Sequence, residues 1–376
     1  MFIERFLVAE VQIGMGKTGR RAYSFDDIAI VPSRRTRDPE EISVAWQIDA
    51  YRFEAPIISS AMDSVVSPNF AIEIGRLGGL GVLDLEGLWT RYDDPQPILD
   101  EIATLPEGDV VRRMREIYSE PIKEELIGAR IKQIRDGGVV TAAALSPQRT
   151  AQYHKAVLEA GVDLFVIRGT TVSAEHVSTR AEPLNLKKFI YDLDVPVIVG
   201  GSYTYQSALH LMRTGAAGIL VGVGGGAAHT TRQVLGIGVP MATVVSDAAA
   251  ARRDYMDESG GRYVHVIADG AMRTGGDIAK AIACGADAVM IGLPLARAAE
   301  APGGGWHWGA EARHNDLARG KRYRAGTAGT LREVLYGPST DSEGTTNLVG
   351  ALRKALATCG YSDLKEFQRV EVVVTC

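Results

Sequence analysis

The chain has 376 residues, 46% hydrophobic and 23% charged, the balance of a folded globular protein rather than a disordered one. A formal net charge of −5 provides no basic footprint for a nucleic-acid backbone or an anionic membrane, so a small-molecule ligand is expected. Cys284, Cys359 and Cys376 have no paired spacing, which argues against a disulfide framework or a zinc cluster and fits a reducing cytoplasm.

The opening MFIERFLVAEVQIGMGKTGRRAY has no basic segment leading into an apolar one, and nowhere do about 18 apolar residues run together. Neither export nor a membrane span is expected, and a cytoplasmic location is read. Further along, eight short apolar runs recur, seven of them ending in Gly, Ser or Asp and most of them leading into a helical stretch. They are APIISSAMD (55–63), GGLGVLD (78–84), GGVVTAAAL (137–145), VDLFVIRG (162–169), VPVIVGGS (195–202), AAGILVGVG (216–224), YVHVIADG (263–270) and ADAVMIG (286–292). That alternation predicts parallel β-α units, and eight of them suit a closed (β/α)8 barrel, an open sheet being the alternative. After the first run, Ser67 is a candidate N-cap, Pro68 occupies the first turn and Gly78 is a stop; Gly215 and Gly285 end later helices in the same way.

Two stretches fall outside the pattern. Residues 85–136 are too short and polar for a second domain and predict helices covering the barrel. Residues 301–345 are rich in Gly, basic and aromatic residues and predict a long loop or lid rather than core. Within it, WHWGAEARH carries His307 and His314 but no pattern that fixes a metal, which predicts a solvated loop.

In a parallel barrel the strand ends converge on one face, so residues just past each strand share a site. The strongest candidate is GVGGGAAHTTR (222–232), where Gly222, Gly224, Gly225 and Gly226 let the backbone adopt positive φ and approach a ligand closely. Asp269 and Gly270 end the seventh run and Gly292 the eighth, the usual phosphate platform of such barrels; Asp269 also suits a plain helix cap.

Taken together, SFDDIAIVP (24–32), PIISSAMDSV (56–65), GGLGV (78–82), the glycine loop ending in TTR, and IADG followed by GDIAKAIACGADAVMIG resemble the IMP dehydrogenase and GMP reductase family, in order and across nearly the whole barrel. The subgroup resembled is the IMP dehydrogenase-related proteins: a single (β/α)8 domain over 1–376, without the CBS pair and with 301–345 as the flap. The resemblance implies purine (guanine) nucleotide metabolism, a nucleoside 5′-monophosphate substrate, NAD or NADP, a homotetramer, and K+ on the Gly224 and Gly226 carbonyls. It places Ser60, Met62, Asp269, Gly270 and Gly292 on the substrate, with Asp269 holding the ribose hydroxyls. Thr231 matches the threonine that helps activate water.

The sequence departs from the family pattern at the reacting centre. His229 occupies the place of the nucleophilic cysteine, and imidazole lacks the soft nucleophilicity of a thiolate, so thioimidate chemistry is not expected. Ala227, Ala271 and Leu293 stand where the family carries a phosphate-binding serine, a glycine and another serine. On the cofactor side, Arg168 replaces an aspartate and Ser202 an asparagine; Arg168 either attracts a phosphate or pairs with Asp163 or Glu175, the pairing being the expectation. KRY (321–323) is the nearest match to the Arg-Tyr pair of the dehydrogenase flap. Three readings follow: an IMP dehydrogenase-like oxidoreductase; a non-catalytic purine-nucleotide-binding or regulatory paralogue; and a barrel enzyme with His229 as general base, which would need a neighbouring acid that the sequence does not identify.

Overall fold

The computed structural model describes residues 10–179 and 183–375; the first nine residues of the N-terminal segment and Cys376 lie outside the described residues. Eight strands, β1 (Ile57–Ser59), β2 (Val82–Asp84), β3 (Ala142–Leu145), β4 (Leu164–Arg168), β5 (Val197–Ser202), β6 (Gly218–Val221), β7 (His265–Asp269) and β8 (Ala288–Ile291), pair in parallel from β2 round to β8 and on to β1. Each lies inside one of the eight expected runs. The ring closes between β1 and β2 through a parallel bridge, Ile58 to Leu80, in which Ser59 N–H donates to Leu80 O at 2.8 Å and Leu80 N–H to Ile57 O at 2.9 Å. The fold is therefore a (β/α)8 barrel.

The strands read as continuous apolar runs because both of their faces are covered: every residue of β3 and β8 is buried. The helix signals act as expected at both ends. In helix α1 (Pro68–Arg76) the Ser67 hydroxyl accepts from Phe70 N–H at 3.0 Å, with Pro68 in the first turn. Gly78, which follows it, has φ +84°, a conformation a side chain would oppose.

Residues 85–136 hold three helices, α2 (Gln96–Thr104), α3 (Val110–Ile117) and α4 (Glu124–Asp136). Helix α4 covers the barrel as expected. Helices α2 and α3 do something else: Leu99, Ile102, Val110, Met114 and Ile117 close with Trp308 and Ala312 into a second, smaller hydrophobic core. This corrects the solvated reading of WHWGAEARH. Trp308 is 1% and His307 2% exposed, whereas His314 stays on the surface. The physical reason is that the apolar faces of α2 and α3 need a partner, and the indole supplies one.

Candidate functional site

Arg168 ends β4, the glycine loop follows β6, Asp269 ends β7, Gly292 follows β8, and Ser60 and Met62 follow β1; all of them line one cleft. The loop keeps its shape because its glycines carry no side chains. A Cβ on Gly222, at φ +142°, would come within 2.3 Å of the Asp269 carbonyl oxygen, and one on Gly226 within 2.7 Å of His229 Nδ1. His229, Thr231, Gly224, Gly225 and Gly270 border the same cleft.

Two placements differ from this convergence. Ser202 is fully buried, with its hydroxyl 2.8 Å from that of Ser207 in the N-terminal cap of the next helix, and does not line the cleft. In KRY, Arg322 turns into the second core, where it bonds the carbonyls of Ile102 and Leu105 and stacks 4.3 Å over the Trp306 ring. Anchored there, Arg322 does not border the cleft. Among the described residues no thiol borders the cleft.

Arg168 is not paired with either expected acid. Asp163 accepts from Thr141 N–H at 2.8 Å and Tyr51 OH at 3.3 Å, and Glu175 lies 3.7 Å from His210. Arg168 donates to the Ala61 carbonyl instead and borders both the cleft and a second, adjoining one that also contains Asp84, Ser146 and Arg319. Facing the cleft, its positive charge acts on Asp269 and Glu311. Burial pushes the Asp269 carboxyl up, and Arg168 and His229 counter it only partly.

Glu311, which sequence reasoning missed, supplies the acid beside the histidine. Its Oε2 is 3.1 Å from His229 Nε2, with 11% and 18% of the two side chains exposed. Burial would raise the Glu311 carboxyl, but His229 and Arg168 hold it well below the carboxylate range. For His229, burial works toward the neutral ring, yet Glu311 and Asp269 outweigh it and Arg168, leaving the imidazole above its ordinary value. His307 also borders the cleft; burial and then the charge of His229 push it down to about 3, so it is neutral.

The pairing is brought about by backbone bonds. Residues 311–321 lie along the glycine loop: Thr230 N–H donates to Arg319 O at 2.7 Å, Lys321 N–H to Ala228 O at 2.8 Å, and Arg319 N–H to Glu311 O at 2.8 Å. The local sequence carries little sign of this, since Glu311 sits in a single 3-10 turn, Ala310–Arg313, 82 positions from His229.

A model described as IMP dehydrogenase / GMP reductase domain matches residues 22–376. An uncharacterized oxidoreductase of Mycolicibacterium smegmatis is 53% identical over 97% of this chain and 99% of its own length. The inosine-5′-monophosphate dehydrogenase of Methanocaldococcus jannaschii is 27% identical over 93% of this chain and 91% of its own. A crystal structure of an IMP dehydrogenase/GMP reductase-like protein from Corynebacterium glutamicum superposes with a TM-score of 0.93 at 49% identity, covering 97% of this chain and 98% of that one.

Proposed function

The chain belongs to the IMP dehydrogenase / GMP reductase family, and from that premise we propose an oxidoreductase of purine nucleotide metabolism whose cleft takes a purine nucleoside 5′-monophosphate. The carrying observation is convergence: Ser60, Met62, Asp269, Gly270 and Gly292, from three strand ends, border one cleft with the glycine loop. In this reading Asp269 accepts the ribose hydroxyls, the backbone near Gly292 meets the phosphate, and the base lies toward Met62 and His229.

The adjoining cleft, reached past Arg168, is the place for a nicotinamide dinucleotide, NAD or NADP, whose chemistry is hydride transfer. Arg168 there favours an anionic group. The expected K+ ligands remain the carbonyls of Gly224 and Gly226; that of Gly226 already accepts His229 N–H at 3.0 Å, which leaves it one lone pair for a cation. A homotetramer in the cytoplasm completes the reading. No described helix is long and apolar enough to cross a membrane.

A second reading, a nucleotide-binding paralogue without turnover, is favoured by the absence of a thiol at the cleft among the described residues. Thermal unfolding with IMP, XMP, GMP, NAD and NADP in turn tests both. A ligand at about 100 times its Kd adds roughly 2.7 kcal/mol. Stabilisation by a purine monophosphate supports the cleft assignment, and nicotinamide reduction then separates enzyme from binder. Absence of a shift with every nucleotide would sink the purine reading.

A further inference from the structure

We infer that the outside of the barrel carries a second binding site, an open groove that takes a nucleoside triphosphate chiefly through its phosphate chain. The groove encloses about 810 Å³, within the roughly 300–1,000 Å³ of small-molecule sites. It shares no lining residue with the cleft or with the one adjoining it. Tyr263 and Gly285 border it and stand just before β7 and β8, so the groove lies toward the opposite ends of the strands from the cleft. The site is independent of the purine reading above.

Charge marks the groove. Arg20, Arg21, Arg252, Arg253, Lys365 and Arg369 line it against a single carboxylate, Asp247, in a chain whose net charge is −5. Three of the six are held by acids: Arg20 lies 2.8 Å from Asp247, and Arg252 and Lys365 both bond Asp287, which is 3% exposed. Arg21, Arg253 and Arg369 are exposed and pair with no acid among the described residues. Packing keeps the other acids away. In the helix Met241–Glu258, Asp254 accepts from the Tyr205 hydroxyl and Glu258 pairs with Arg213 at 2.7 Å, while Arg252 and Arg253 border the groove. Glu366 feels the charge of Arg369 but does not line the groove.

Cations gathered in this way repel one another, and a groove lined by one sign of charge concentrates counter-ions. Guanidinium forks match phosphate oxygens, so the ligand is a multivalent phosphate. Its other half follows from the wall: Tyr23, Met256 and Val370 border the same groove, and Arg21 lies 5.6 Å over the Tyr23 ring. A flat heterocycle meets apolar and cationic faces there. One side of the site is already fixed. Asp287 accepts from Arg252 at 2.6 Å and from the Tyr263 hydroxyl at 2.7 Å, and the Tyr263 ring centre is 4.9 Å from Arg252 and 4.0 Å from Lys365. Binding then has to order little more than the exposed arginines, which keeps its entropic cost low.

The test titrates ATP and GTP separately into the full-length protein by calorimetry, without divalent metal, and repeats each titration in saturating IMP, NAD and NADP. Expected is one triphosphate bound per chain, unaffected by these ligands and weakened by added salt. Arg253→Glu and Arg369→Glu should each lower the affinity at least about tenfold and leave the unfolding midpoint of the unliganded protein unchanged. Arg21→Gln, which removes a rim charge without reversing it, should weaken binding too and keeps the test open if a reversed charge disturbs folding. Arg168→Ala, in the cleft, should bind the triphosphate like the parent. Inorganic tripolyphosphate should bind more weakly than ATP, because it leaves Tyr23 and Met256 uncovered. Failure of both triphosphates to bind, competition by IMP or a dinucleotide, loss of binding in Arg168→Ala, or parental affinity in the groove variants would overturn the site. Tripolyphosphate binding as tightly as ATP would overturn its nucleoside half.

Discussion

The Trp308 indole N–H donates to the Tyr118 hydroxyl at 3.0 Å, and Tyr118 donates in turn to Asp63 Oδ2 at 2.7 Å. This chain of bonds joins three excursions from the barrel, those after β1, β2 and β8. Arg313 reinforces it, lying 4.2 Å over the Tyr118 ring and pairing with Asp84 at 3.0 Å. Ser64 holds the next link, accepting from Trp308 N–H at 3.0 Å with its hydroxyl 3.2 Å from His307 Nδ1. Glu311 sits between Trp308 and Arg313, so the second core positions the acid that faces His229.

Removing the hydroxyl from this chain should be costly. Tyr118→Phe keeps the ring but leaves the Trp308 indole N–H and one Asp63 oxygen buried without that partner, a loss of about 2–4 kcal/mol. The denaturant midpoint at constant m-value measures it. A loss below about 0.5 kcal/mol, the scale of an ordinary surface change, would mean that the excursions are held by apolar contact alone.

Stability should fall in mild acid, partly because of His265. Burial pushes this residue down to about 4, with Lys365 and Arg252 adding to the effect of burial and Asp287 opposing it. Its folded value thus lies below its unfolded one near 6.5, so its contribution is complete above about pH 6.5 and is lost as pH falls through about 4. The shift corresponds to at most about 3 kcal/mol. Stability against urea is to be compared at about pH 7 and about pH 4.5 for the parent and His265→Asn; equal slopes in the two proteins would contradict the assignment.

Ala271 has φ +62°, left-handed backbone at the position where family resemblance implies glycine. That conformation costs an L-residue about 1–2 kcal/mol, part of which glycine returns as chain entropy in the unfolded state. Ala271→Gly should therefore stabilise the protein by about 0.5–1 kcal/mol. Chemical denaturation reads it directly, and a destabilised variant would show that the Ala271 methyl group contributes more packing than its backbone costs.

Much of the architecture is legible in the sequence. The strands are apolar on both faces and punctuated by glycine, so β1 to β8 lie inside the runs that predict them, and Ser67, Pro68 and Gly78 bound α1 through local bonding and steric rules. The cleft was legible in part, because strand ends of a parallel barrel converge wherever they stand in the chain: His229, Thr231, Asp269 and Gly292 meet as that geometry requires. The placements of Ser202 and KRY were not legible, because motif position says nothing about which way a side chain turns once a helix cap or an aromatic partner competes for it.

What sequence alone determined was therefore the periodic and local part of the protein: barrel strands, helix ends, the glycine loop, and the absence of a thiol at its tip. What only tertiary structure decided was the partner of each charge. Arg168 faces Asp269 and Glu311 rather than its neighbours in sequence, and Glu311 meets His229 across 82 residues. The reason is physical: a hydrophobic period repeats along the chain and can be read there, whereas an ion pair in a cleft depends on long-range packing, here a second core built around Trp308.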